Sequence, residues 1–95
     1  MSASRWGVLD ELLCLAREGR FVVGWYQLHE IVAETERSLR HRLKRPLKVS
    51  QTALSARLRD LRRQGIIVDV KCERVGDGAG QHRYLYRIYS PAGQS

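Results

Sequence analysis

The chain has 95 residues, room for one compact domain and too little for two. Apolar residues make up 43% and charged residues 28%, with a formal net charge of +7, so a packed core is expected and a polyanion is favoured as partner. No apolar run is long enough to span a bilayer, and Met1 to Ser4 lacks the basic start and apolar stretch of a signal peptide, so the expectation is a cytoplasmic protein with no membrane partner.

In chain order, Ser4 is placed to cap a first helix and Gly19 to close it. Between them Trp6, Leu9, Leu13 and Ala16 recur at helical spacing, and Val8, Leu12 and Leu15 widen the apolar arc to about half the circumference. Such width predicts burial on two sides, against the core and in a weak homodimer through helix 1. The stretch Arg20 to Gly24 is short, apolar and β-branched, which predicts a brief strand. A second helix is expected from near Trp25, with Leu28, Ile31 and Val32 on one face. Two ends are open for it. Thr35, Leu39 and Leu43 carry the stripe to Lys44, or the helix stops near Glu36 and a basic connector follows; Pro46 terminates either.

Ser50 is the cap of a third helix, in which Leu54, Leu58 and Leu61 share one face and Gly65 takes the closing position. From Ile66 the period falls to two. Val68, Val70 and Cys72 alternate with Asp69, Lys71 and Glu73; Gly76-Asp77-Gly78-Ala79-Gly80 breaks the pattern; Tyr84, Tyr86 and Ile88 then alternate with Arg83, Leu85 and Arg87. Two alternating runs about a glycine-rich break predict a β-hairpin. Residues 1–90 are expected to form the single domain and 91–95 a loose tail.

Cys14 and Cys72, far apart in apolar-patterned segments, read as small buried hydrophobes rather than a disulfide. His29, His41 and His82 share no ligand spacing with either, so no metal site and no cofactor is expected. Nor is there a Ser/His/Asp arrangement; Asp60 reads as a partner for Arg57 or Arg63, and the chain reads as no enzyme, with no small-molecule substrate.

Charge is unevenly spread. Residues 1–36 carry a net −3, residues 37–63 a net +9 from ten basic and one acidic side chain, and residues 64–95 a net +1. A solvated helix face is the plain reading of such a block, but ten to one exceeds what solubility needs. Between Arg37 and Arg59 no acidic residue offers itself for pairing.

The segment from Val49 to Gly65, with its Ser-Ala-Arg-Leu-Arg-Asp-Leu-Arg core at Ser55 to Arg62, resembles the recognition helix of winged helix-turn-helix regulators, closest to small helix-turn-helix proteins of phages and prophages. The likeness covers residues 49–89 well and the first half by element order; Glu34 to Lys48 is longer and more basic than the usual tight turn. It implies an α+β winged helix-turn-helix fold with three helices, a short strand and a C-terminal hairpin wing, binding double-stranded DNA sequence-specifically as a small transcription regulator.

The helix periodicity bears on the same point. With the leucines inward at about 100° per residue, Thr52, Ala56, Arg59 and Arg63 face outward. Gln51, Thr52, Ser55, Ala56 and Arg59 are the candidates for base edges, small residues leading and arginine following. Arg37, Arg40, Arg42, Lys44, Arg45, Lys48, Ser50, Arg62 and Arg63 are candidates for phosphates, which position without reading sequence. Arg74, Gln81, His82 and Arg83 flank the wing tip. Trp25 and Tyr26 fit either an anchor of helix 2 to the core or a platform for unpaired bases. The rival function is a protein-interaction module on the same scaffold, such as a phage-encoded inhibitor of a host protein; RNA binding is a third.

Overall fold

The computed structural model describes residues 6–74, 76 and 82–91. Three helices, α1 (Val8–Arg17), α2 (Leu28–Leu43) and α3 (Gln51–Arg63), pack with a three-stranded antiparallel sheet of β1 (Tyr26–Gln27), β2 (Ile67–Arg74) and β3 (His82–Tyr89). The sheet order is β1-β3-β2, so the hairpin runs on from α3 and its second strand carries the short β1 on its far side. This α+β arrangement is compatible with a winged helix-turn-helix.

Each helix has a local cause. The described start of α1 is Gly7, whose N–H is accepted by the Asp10 carboxylate at 2.8 Å; Ser4 lies outside the described residues. The Gln27 N–H is likewise accepted by Glu30 at 2.7 Å, and Ser50 Oγ accepts the Ala53 N–H at 3.0 Å. An acceptor here satisfies an amide that the helix itself cannot pair. At the other ends, Gly19 and Gly65 adopt φ of +79° and +90°. The amides after them, on Arg20 and Ile66, reach back to Leu15 O and Leu61 O, the six-to-one bond of a Schellman stop. The second helix takes the longer of its two expected courses, through Leu43, and ends with Lys44 in the left-handed region at φ 58°.

The core is one cluster. Leu12, Leu15 and Ala16 of α1, Ile31 and Leu39 of α2, Leu54, Leu58 and Leu61 of α3, and Val68 and Ile88 of the hairpin are buried together with Phe21 and Val49. Val8, Leu9 and Leu13 are half-buried against it, so part of the broad α1 arc is covered within the chain.

Three expectations need correction. Arg20 to Gly24 is a turn, not a strand. Phe21 turns into the core and its carbonyl accepts the Ile88 N–H at 3.1 Å, while Val22 and Val23 are exposed; the strand comes later, at Tyr26, and α2 starts at Leu28 rather than near Trp25. An apolar β-branched run signals burial or strand equally, and here one residue supplies the burial. Second, the hairpin's alternation does not mark a buried face along its length. Val68 is buried, but Val70 and Cys72 are exposed because the hairpin extends beyond the helices; Cys14 is half-buried. Third, Trp25 does not anchor α2 to the core. It lies on the opposite sheet face, with the Lys71 ammonium and the Arg87 guanidinium 4.7 and 4.8 Å from its ring, whereas Tyr26 does join the core, edge-on to Phe21 at 5.5 Å.

Candidate nucleic-acid interface

Burial of Leu54, Leu58 and Leu61 fixes the rotation of α3. Gln51, Thr52, Ser55 and Arg59 are consequently exposed, with Ala56 half-buried between them. Arg59 makes no ion pair among the described residues; the neighbouring Asp60 takes Arg57 at 3.1 Å and Arg63 at 3.7 Å. Five expected base-reading side chains therefore line one strip, and with Leu28 they form the wall of a shallow groove of about 400 Å³.

Leu28 and Gln51 also line a second hollow, of about 480 Å³, whose other wall is His82, Arg83, Tyr84 and Tyr86 of β3. The start of α2, through Gln27 and His29, forms its floor. The outward face of α3 and the base of the wing thus line two hollows that share Leu28 and Gln51. Of the wing residues, Arg74 stands opposite His82 in the ladder, and Arg83 donates to Glu73 at 2.9 Å. That hydrogen bond holds the Glu73 carboxyl below its ordinary pKa. Gln81 and the glycine-rich tip from Asp77 to Gly80 lie outside the described residues.

The basic block is less uniform than its composition. Contrary to expectation, acidic partners exist, one turn upstream: Arg37 pairs with Glu34 and Arg40 with Glu36 at 3.3 Å. Glu36 also accepts the Val49 N–H at 2.8 Å, which ties the 44–50 connector back onto α2. Arg62 donates to the Val68 carbonyl at 2.8 Å, so it braces α3 against the hairpin. Lys44, Arg45 and Lys48 are exposed and unpaired among the described residues. Ser50 is spent as the cap.

Arg42 is the most constrained. Its Nε donates to Glu11 at 2.6 Å, and its guanidinium lies 4.5 Å from the centre of the Trp6 ring. Glu11 is only 1% exposed and also accepts from Trp6 Nε1 at 2.7 Å and from Ser38 Oγ. Burial pushes its carboxyl up; the bonds from Arg42, Ser38 and Trp6 together outweigh that and hold it below the usual value. The same bond raises the Arg42 pKa.

Sequence reasoning missed Glu11, although its spacing from Val8, Leu12 and Leu15 places an acid inside an apolar stripe. It also missed Gln27, His29, Tyr84 and Tyr86 as groove walls, because nothing local to them shows that α2 begins beside the wing. Among the described residues no group of three or more His, Cys, Asp or Glu could hold a metal ion, and no helix is long and apolar enough to cross a membrane. No protein-family model matches the chain, and neither the curated proteins nor the solved structures hold a match to it.

Proposed function

We propose that the chain is a cytoplasmic, sequence-specific double-stranded DNA-binding protein, of the small transcription-regulator type found in phages and prophages. The observation that carries this reading is the pair of hollows along the outward face of α3 and against β3, which share Leu28 and Gln51 as lining residues. A helix in the major groove and a wing over the adjoining backbone require that spacing element between them. Gln51, Thr52, Ser55, Ala56 and Arg59 would meet base edges, and Lys44, Arg45 and Lys48 phosphates. The resemblance of Val49 to Gly65 to recognition helices agrees with it.

Binding to duplex DNA should weaken steeply with salt, with a log–log slope of about −3 to −6 for about three to seven neutralised phosphates. Fluorescence anisotropy at several salt concentrations measures it, on random duplex and on a site enriched by selection. No binding at low salt, or a flat dependence, would remove DNA as partner. One observation favours a second reading in that event. Val70, Cys72 and Tyr84 make an exposed, largely apolar strip along one face of the wing, which suits a protein partner better than a phosphate backbone.

A further inference from the structure

The hairpin's outer strand has an open edge. Among the described residues, in the order β1-β3-β2, β2 pairs with β3 alone. Two independent bonds fix which of its backbone groups point away from that partner. The Ile88 N–H goes to Phe21 O rather than to its ladder neighbour Val68, and the Val68 carbonyl accepts from Arg62. The Val68–Ile88 pair is therefore a non-hydrogen-bonded one. By the two-residue period, Val70, Cys72 and Arg74 also direct N–H and C=O to the open edge. Val68 is capped by Arg62; Val70 is 45% exposed, and Cys72 and Arg74 are exposed as well.

An edge of this kind is a template for another strand, and charges along it decide which strand is admitted. Consider a second copy added antiparallel about a two-fold axis. A centre on Lys71 sets Lys71 against itself and Asp69 against Glu73; a centre on Glu73 sets two carboxylates together. A centre on Val70 needs the Val68 carbonyl that Arg62 occupies, and uses an Asp69 already engaged by Arg87 and Tyr89. A centre on Cys72 does not need that carbonyl, and although Glu73 already accepts from Arg83 at 2.9 Å, that pair is on the surface and the other carboxylate oxygen faces Lys71. The inner pairs about Cys72 are Lys71 with Glu73 of the second copy, twice, and the outer pairs are Val70 with Arg74, using only the free stretch of edge. The Lys71 and Glu73 side chains already share a face of the sheet, 3.9 Å apart.

We infer that two copies associate through the β2 edges, antiparallel and centred on Cys72, into a continuous six-stranded sheet. The axis is perpendicular to the sheet, so both α3 helices lie on the same side of it, as a palindromic duplex site would require. The association does not depend on DNA binding.

Sedimentation equilibrium of the full chain, under reducing conditions and at moderate salt to screen the repulsion of two +7 chains, should show the mass doubling across a concentration series. Cys72→Pro removes an N–H that faces the open edge and no bond to β3, so it should abolish the doubling while circular dichroism stays native. Lys71→Glu and Glu73→Lys should each be monomeric alone, and should associate when mixed in equal amounts, because the mixture restores opposite charges at both positions. The mixing result decides the matter if the proline variant fails to fold. A native chain that stays monomeric, a dimer that survives Cys72→Pro in the folded state, or two charge variants that do not associate on mixing would each overturn the proposal.

Discussion

Arg42 separates a cation that binds from a cation that holds the fold. Its guanidinium neutralises Glu11, a carboxylate 1% exposed and bonded to Trp6 and Ser38 as well. Arg42→Ala leaves that carboxylate buried without a counter-charge, a change that lowers stability and that the bonds from Trp6 and Ser38 compensate only in part. Arg42 itself is 42% exposed in its side chain, so water reaches the site and the loss is smaller than for a fully enclosed pair. The pH dependence changes with it. In the native chain the folded pKa of Glu11 lies below its unfolded value, so its stabilisation is present above the ordinary glutamate range and is lost as pH falls through the folded pKa. Without Arg42 the largest of the lowering contributions is gone while burial remains, so the folded pKa rises and the deficit of the variant narrows in acid. Urea denaturation at pH 4.5 and 7 measures both, and salt titration of DNA binding supplies the control. A variant as stable as the native chain, with a salt slope flatter by about one unit, would show that Arg42 serves phosphate and that the Glu11 contact is dispensable.

Other substitutions probe the interface and its supports. Arg59→Ala should lose about 1–3 kcal/mol on a selected site and much less on random duplex in a competition titration, relaxing preference at one base position. If it weakens all sequences equally, α3 is not the reading element. Lys48→Ala should do just that, and flatten the salt slope by about one unit. Lys44→Gly relieves a left-handed residue at φ 58° and should raise stability by up to about 1 kcal/mol in thermal denaturation while weakening DNA binding through the lost charge. Ser50→Ala removes the acceptor of the Ala53 N–H and should cost about 1 kcal/mol, read from the same melts.

Much of the fold is legible in the sequence where periodicity and end signals agree. Leu54, Leu58 and Leu61 with Ser50 before and Gly65 after define α3 to the residue. Legibility fails where one signal has two physical causes. The Phe21-Val22-Val23 run has strand composition, but its burial is supplied by Phe21 alone, and the Gly19 stop sends the chain round a turn. The hairpin alternates correctly yet leaves Val70 and Cys72 outside, because alternation says which residues share a face and not whether anything covers it. The outward strip of α3 was readable from helix geometry alone. The hollow against β3 was not, since His29 and Tyr84 meet only through the packing of α2 beside β3.

Charge counting fails in a more useful way. The ten basic side chains of residues 37–63 fall into three groups once their partners are known. Arg42 and Arg62 are committed, one to a buried carboxylate and one to a backbone carbonyl. Arg37, Arg40, Arg57 and Arg63 hold surface ion pairs, which are weak enough for a phosphate to replace the carboxylate. Lys44, Arg45, Lys48 and Arg59 pair with nothing among the described residues. At about −0.9 per phosphate, Lys44, Arg45 and Lys48 alone give a slope near −3, and the exchangeable four extend it to about −6. The low end would mean that the surface pairs persist in the complex. A slope steeper than about −6 would require cations from the wing, and would move part of the electrostatic footprint from the connector to Arg74 and Arg83.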